Sequence, residues 1–130
     1  MRETIEESID ELWRRYAASR DDFELRNRLV ERYVPLVRRH AERAAADVRR
    51  RLTPSLRGRI RTDDLESAGM FGLLDAVSSF DPAEGKRFDD YAAVRIRNAI
   101  AEELRSLDWL PLSFFAKGIR RDGDPPESEP

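Results

Sequence analysis

Apolar side chains recur in this chain at i, i+3, i+4 and i+7, and almost nowhere at the alternating spacing of a half-buried strand. A helix with one apolar stripe must bury it against another element, so a chain built only of such stripes is committed to an all-α bundle. The periodicity predicts four helices. The first covers about 4–18, with Ile5, Ile9, Leu12, Trp13 and Tyr16 on one face. After a break at Ser19–Asp22, with Asp22 as N-cap, a second runs from about 23 to 51. Its inner stripe is Leu25, Leu29, Tyr33, Leu36, Val37, His40, Ala41, Ala44 and Val48, and Pro35 inside it predicts a kink or break near 34.

Thr53-Pro54-Ser55 and Gly58 mark a loop over about 52–62. Asp63-Asp64-Leu65-Glu66 then reads as a capping box, with Asp63 as N-cap and Glu66 at N3. The third helix follows over about 64–79, with Leu65, Ala68, Gly72, Leu73, Ala76, Val77 and Phe80 at core spacing. A glycine inside a helix costs about 1 kcal/mol relative to alanine. Gly69 and Gly72, three apart, therefore imply that another helix comes close to this face. Asp81–Gly85 is a turn, and Asp89 or Asp90 caps a fourth helix over about 90–106 with Tyr91, Ala92, Ile96, Ala99, Ile100 and Leu104 inward. The pattern ends after Trp109, and residues 122–130, DGDPPESEP, have a disordered composition.

With 130 residues, 40% of them hydrophobic, there is material for one modest core. The expected organisation is a helical lead-in over 1–22, one domain over 23–111 and a disordered tail over 112–130. No cysteine is present, which excludes disulfides, iron–sulfur clusters and zinc-thiolate sites, and His40 is the lone histidine. Adjacent carboxylates such as Glu102-Glu103 and Asp89-Asp90 point different ways on a helix and read as solvated faces or caps. No phosphate-binding glycine loop or metal cage stands out, so no catalytic residue, metal or cofactor is expected. No apolar run approaches the roughly 18 residues of a membrane span, and the acidic start lacks a secretory core; a soluble, cytoplasmic protein with no membrane partner is expected.

The net charge of −2 conceals a segregation along the chain. Residues 26–62 hold twelve arginines against Glu31, Glu42 and Asp47, whereas residues 63–81 hold five carboxylates and no base. Such a chain can face two partners of opposite sign. Arginine supplies 22 of the 24 bases. A GC-rich genome would favour arginine codons too, but would not sort them by position.

The informative stretch runs from Asp63 to Pro111: an acidic helix, a tight turn, then a helix carrying Lys86, Arg87, Phe88, Tyr91, Arg95, Arg97, Asn98 and Arg105. Cations that hold phosphates, interleaved with rings that stack on bases, suit single-stranded or melted nucleic acid. Arg95, Asn98 and Glu102 share one helical face, and arginine and asparagine make bidentate contacts to guanine and adenine edges. An ordinary charged helix would show much of the same composition.

DDLESAGMFGLLDA, followed by SSFDPAEGKRFDDYAAVRIRNAIAEELR, resembles the second conserved domain of bacterial RNA polymerase sigma factors. DWLP after it resembles the linker of the flagellar and sporulation-type alternative members, and NRLVERYVPLVRRHAERAA at 27–45 resembles the domain's first long helix. The likeness covers roughly 12–111. It implies a sigma domain-two bundle that binds core RNA polymerase on the clamp coiled coil of the large subunit. The implied docking residues are Asp64, Ser67, Met70, Phe71, Leu74 and Asp75, although Phe71 and above all Leu74 would serve as well to close the core. It also implies recognition and melting of the promoter minus-ten element on the non-template strand. Lys86, Arg87, Phe88, Tyr91, Arg95, Arg97, Asn98 and Arg105 are the implied DNA contacts, with Phe88 equally suited to the core. An antagonist protein is a further implied partner. The resemblance implies no enzyme activity; the polymerase does the chemistry.

Two departures bear on that expectation. Housekeeping members carry an aromatic where this chain has Lys86, and a tryptophan pair where it has Val94-Arg95, which places the chain with the alternative types and implies a different minus-ten sequence. A full-length factor would continue into two more helical domains, whereas nineteen residues follow Pro111. A natural single-domain factor, a truncated or frameshifted product, and a polymerase-binding competitor of intact factors all fit that length.

Overall fold

Ser8 opens the first helix by accepting a hydrogen bond from the Glu11 backbone N–H at 3.1 Å, and Asp22 opens the second by accepting from the Glu24 and Leu25 N–H groups at 3.1 and 3.2 Å. The computed structural model describes residues 8–111 and 113–114. It contains α1 (Ile9–Ala18), α2 (Phe23–Arg51), a 3-10 turn (Pro54–Arg59), α3 (Thr62–Ser79), a second short 3-10 turn (Pro82–Glu84) and α4 (Phe88–Arg105), with no strand among the described residues. The all-α, four-helix bundle expected from periodicity is the architecture found. Ile5 and the expected start of the first helix lie outside the described residues.

Of the kink or break expected near 34, the break does not occur: α2 runs unbroken through Pro35. Pro35 faces solvent, so water can satisfy the Glu31 carbonyl that its missing N–H leaves unbonded, while buried Leu29, Val30, Leu36 and Val37 pin the turns on either side. The expected caps of the last two helices shift in the same way. α3 begins at Thr62 behind Arg61, and α4 begins at Phe88 behind Arg87, neither with a side-chain cap. The acidic pairs Asp63-Asp64 and Asp89-Asp90 lie inside the first turns instead, where carboxylates favour the positive end of the helix dipole without adopting cap geometry. The start of α3 is set from outside: an Arg49 guanidinium nitrogen donates to Ile60 O at 2.6 Å and to Thr62 Oγ1 at 3.2 Å.

α3 and α4 pack antiparallel, and the two glycines make the close approach. A Cβ on Gly72 would lie 2.5 Å from the Arg95 carbonyl oxygen and 2.9 Å from Ile96 Cα, and one on Gly69 would lie 2.9 Å from a Val37 methyl. What Gly72 faces is backbone, so nothing there can rotate away. Between these helices and α2 sit fully buried Leu29, Val37, Val48, Leu73, Val77, Ile96, Ile100 and Leu104. α1 shares this core through Leu12, Trp13 and Tyr16.

Several arginines close helix ends. Arg20 stacks over the Tyr16 ring, with 4.9 Å from guanidinium carbon to ring centroid, and donates to the Ser78 and Phe80 carbonyls at the end of α3, at 3.3 and 2.7 Å. Arg57 Nε does the same for α2 through Arg49 O and Leu52 O, at 3.0 and 3.2 Å. Within the stretch expected as loop, Leu52 and Ile60 are buried. Phe114, which the sequence assigns to the tail, packs on the domain: its ring is buried under Arg51, 4.4 Å from guanidinium carbon to centroid, and Arg51 donates to its carbonyl at 2.9 Å. Apart from Ser113 and Phe114, the expected tail lies outside the described residues.

Candidate functional site

The turn between α3 and α4 determines what the N-terminal half of α4 can present. Asp81 accepts from the Ala83 N–H at 3.0 Å, and Gly85 takes φ +83°, a left-handed conformation that favours glycine. The chain thus reverses within a few residues, and Lys86 and Arg87 are left exposed at the head of α4. A surface groove of about 650 Å³ opens beside them, lined by Lys86, Arg87, Asp90, Tyr91, Val94, Arg95 and Asn98. Five of the eight residues expected to meet nucleic acid are therefore gathered on one concavity, whose single lining carboxylate is Asp90. Arg95 stacks over Tyr91, with 4.7 Å from guanidinium carbon to centroid.

The other three are placed elsewhere. Of the two roles open to Phe88, the structure shows the core one: its ring is 6% exposed, packed 4.4 Å from Tyr33, 4.9 Å from Trp13 and 5.1 Å from Phe80 between centroids. It is the centre of an aromatic cluster with Trp13 of α1, Tyr33 of α2 and Phe80 at the end of α3, and little of its ring is left to receive a base. Arg97 is exposed on the side of α4 toward α2. Arg105 lies in the last turn of α4, where a cation suits the helix dipole, and does not line the groove.

A larger concavity of about 810 Å³ lies between α1, the turn and the start of α4. Trp13, Tyr33, Phe80 and Phe88 form its floor, and Lys86 and Arg87 line it as well as the groove. Trp13 Nε1 donates to Tyr33 Oη at 3.2 Å, and burial raises the Tyr33 pKa above its ordinary value despite that hydrogen bond. This concavity is not legible in the sequence, because its walls come from segments seventy residues apart.

On the far half of the same helical hairpin the chemistry reverses. Asp64, Ser67 and Phe71 of α3 line a shallow concavity of about 540 Å³ with Ala99, Glu102 and Glu103 of α4. Phe71 is 72% exposed, held up by a helix whose opposite side is core. Met70 and Leu74 are half-buried, packed against the core beneath it. Asp75, the last of the expected docking residues, accepts a hydrogen bond from Arg95 at 2.7 Å. The structure thus brings Asp64, Ser67 and Phe71 together at one surface and ties Asp75 to the other.

Sequence reasoning also misses the arrangement around His40. Half-buried on α2, it has its pKa lowered by burial, and further by Arg97 of α4 and by Arg43 and Arg39 of its own helix. Among the described residues, no group of three or more histidines or carboxylates is placed to hold a metal ion, and no helix is long and apolar enough to cross a membrane.

The structure therefore defines an all-α domain whose antiparallel α3–α4 hairpin carries an acidic, phenylalanine-tipped surface at one end and a cationic, aromatic groove at the other. Residues 29–110 match the Sigma-70 region 2 family, and the chain belongs to that family. It is similar to the RNA polymerase sigma-D factor of Bacillus subtilis (strain 168), 41% identical over 100 residues that cover 77% of this chain and 36% of the relative. It is also similar to the RNA polymerase sigma factor FliA of Yersinia enterocolitica, 46% identical over 88 residues (68% of this chain, 35% of the relative), and to that of Escherichia coli (strain K12), 46% identical over 85 residues (65% and 32%). The chain spans about a third of the length of these curated relatives. No solved structure gives a significant match.

Proposed function

We propose that this chain is a sigma-type transcription initiation module, not itself an enzyme. It docks on core RNA polymerase through α3 and takes the non-template strand of a promoter minus-ten element in the α4 groove. The observation that carries this reading is the pairing of two oppositely charged surfaces on one rigid hairpin, in a chain that belongs to the Sigma-70 region 2 family. An exposed phenylalanine framed by carboxylates suits a basic, helical protein surface such as the clamp coiled coil: the ring anchors and the charges steer. A groove with cations along one rim and a stacked Tyr91–Arg95 pair suits a strand whose bases have been unstacked. Unstacking costs a few kcal/mol, and stacking on an aromatic returns about 1–3 kcal/mol per base. Met70 and Leu74, packed against the core on the same helix, complete the docking set, and such a function is exercised in the cytoplasm.

The test is transcription by core RNA polymerase from a template with a pre-melted minus-ten bubble, with binding to core followed in parallel. Added initiation supports the reading. Binding that only inhibits intact sigma factors would make the chain a competitor, and failure to bind core would overturn the docking surface.

A further inference from the structure

The groove and α3 are joined by a closed circuit of four residues. Asp75 Oδ2 accepts from Arg95 at 2.7 Å; the Arg95 guanidinium stacks on Tyr91; Tyr91 Oη lies 2.7 Å from Ser79 Oγ; and Ser79 Oγ donates to the Asp75 carbonyl oxygen at 2.8 Å. The directions are determined by elimination. A carbonyl only accepts, so the single hydroxyl proton of Ser79 goes to Asp75 O. Tyr91 must then donate its own proton to Ser79 Oγ, which leaves the Tyr91 oxygen as an acceptor. One nitrogen of Arg95 is held by Asp75, while Arg95 also lines the groove.

We propose that Asp75 and Ser79 of α3 are positioning residues for nucleotide recognition in the α4 groove: they hold Tyr91 and Arg95 as a preset stacked platform for one unstacked base. This rests on the reading of the groove as a nucleic-acid site, and it removes Asp75 from the polymerase-docking set. An ion pair whose partners keep 61% and 40% of their side-chain surface exposed adds little to stability. Arginine and tyrosine side chains that would otherwise sample many rotamers are instead held in one arrangement before the ligand arrives, which lowers the ordering cost of binding.

The sign of one substitution separates this from simple electrostatics. Asp75→Asn removes a negative charge next to an anion-binding groove. If Asp75 only competes with DNA for Arg95, affinity rises. If Asp75 positions Arg95, affinity falls despite the more favourable charge. We expect the full chain bound to core polymerase to lose about three- to ten-fold in affinity for a fluorescent single-stranded minus-ten oligonucleotide on Asp75→Asn. Affinity for core polymerase and the unfolding midpoint should be unchanged. Asp75→Glu should recover part of the loss, and Ser79→Ala should show a smaller one. In an Arg95→Gln background Asp75→Asn should have no further effect. An affinity that rises or stays level on Asp75→Asn, or a loss that is additive with Arg95→Gln, overturns the positioning role. Weakened core binding returns Asp75 to the docking surface. An unsubstituted chain that prefers no oligonucleotide overturns the groove itself, and the platform with it.

Discussion

The two ends of the α3–α4 hairpin treat aromatic side chains in opposite ways. At the acidic end Phe71 stands almost free of the protein, 72% exposed, while its neighbours Met70 and Leu74 are half-buried against the core. At the cationic end Phe80 and Phe88 are buried, and Tyr91, which reaches the groove, is held by its ring and its hydroxyl. A ring without polar atoms gains most by moving from water into a partner's pocket, so leaving it exposed keeps a binding contribution in reserve. A ring meant to receive a base must already stand at a fixed angle, because a flexible one would lose rotamer freedom on binding. One surface is built to be covered and the other to hold its shape. Substitutions should therefore disturb one end, the other, or both, according to which of these demands they touch.

Gly72→Ala should have the largest effect, because it acts on the seam shared by both ends. Its Cβ would meet the Arg95 carbonyl at 2.5 Å, so α3 and α4 must separate. Overpacking of this kind costs about 1–3 kcal/mol, which exceeds the gain of about 1 kcal/mol in helix propensity. Urea unfolding should show the loss, with core binding and oligonucleotide binding falling together. Gly69→Ala, opposed by a valine methyl that can shift, should cost less.

Phe71→Ala should come next and should split the two ends. Affinity for core polymerase is expected to fall by about 2 kcal/mol or more, while unfolding and oligonucleotide binding stay level, since most of the ring lies in solvent. Asp64→Arg should weaken core binding by reversing a steering charge. Met70→Ala should weaken it too, with some loss of stability, because Met70 is half-buried. A pull-down titration in which Phe71→Ala binds core normally would remove the docking surface from this face.

The bundle, its order of helices, most of the core and the glycine seam follow from apolar spacing alone, since burial is what that spacing records. The misplaced features share one cause: a residue type with two physical roles cannot be assigned from its letter. Asp63 and Asp89 suit a cap and a first turn equally well. Phe88 suits a stack on a base and a core, and only the convergence of Trp13, Tyr33 and Phe80 decides it. Arginine shows the ambiguity most clearly. Arg49 and Arg57, like Arg20 before them, spend donors on backbone carbonyls at helix ends, so through the first two part of the basic charge of 26–62 is structural. Asp75 groups with Phe71 in the sequence because both lie on one stripe of α3, and its partner Arg95 can be known only from the antiparallel register.

Arg95→Ala with Asn98→Ala should lower the preference among single-stranded oligonucleotides by about 1–3 kcal/mol at the positions they read, with core affinity kept. If all sequences lose affinity alike, these side chains touch only phosphates. Arg39→Gln with Arg43→Gln on α2 is the contrasting pair: it should weaken every oligonucleotide equally and flatten the log–log salt dependence by about one unit for each phosphate no longer neutralised.

The smallest effect sharpens where the cationic end stops. His40 is the lone histidine of the chain and feels Arg97 of α4 together with Arg43 and Arg39 of its own helix. Burial, and then these three cations, hold its pKa below the ordinary value of 6.5. Because the unfolded chain takes up this proton more readily than the folded one, stability is full above about pH 6.5 and declines as pH falls from there toward the folded pKa. DNA phosphates bound at the three arginines would offset their repulsion of a protonated imidazole and raise the His40 pKa. By linkage, oligonucleotide binding should then tighten modestly as pH falls through the same window. An NMR titration of the His40 ring, with and without a short oligonucleotide, measures this directly. A midpoint that rises extends the nucleic-acid surface across α2, where Arg97 and the α2 arginines act as one patch. A midpoint that stays put confines the strand to the groove between Lys86 and Asn98 and leaves the α2 arginines as a solvated face.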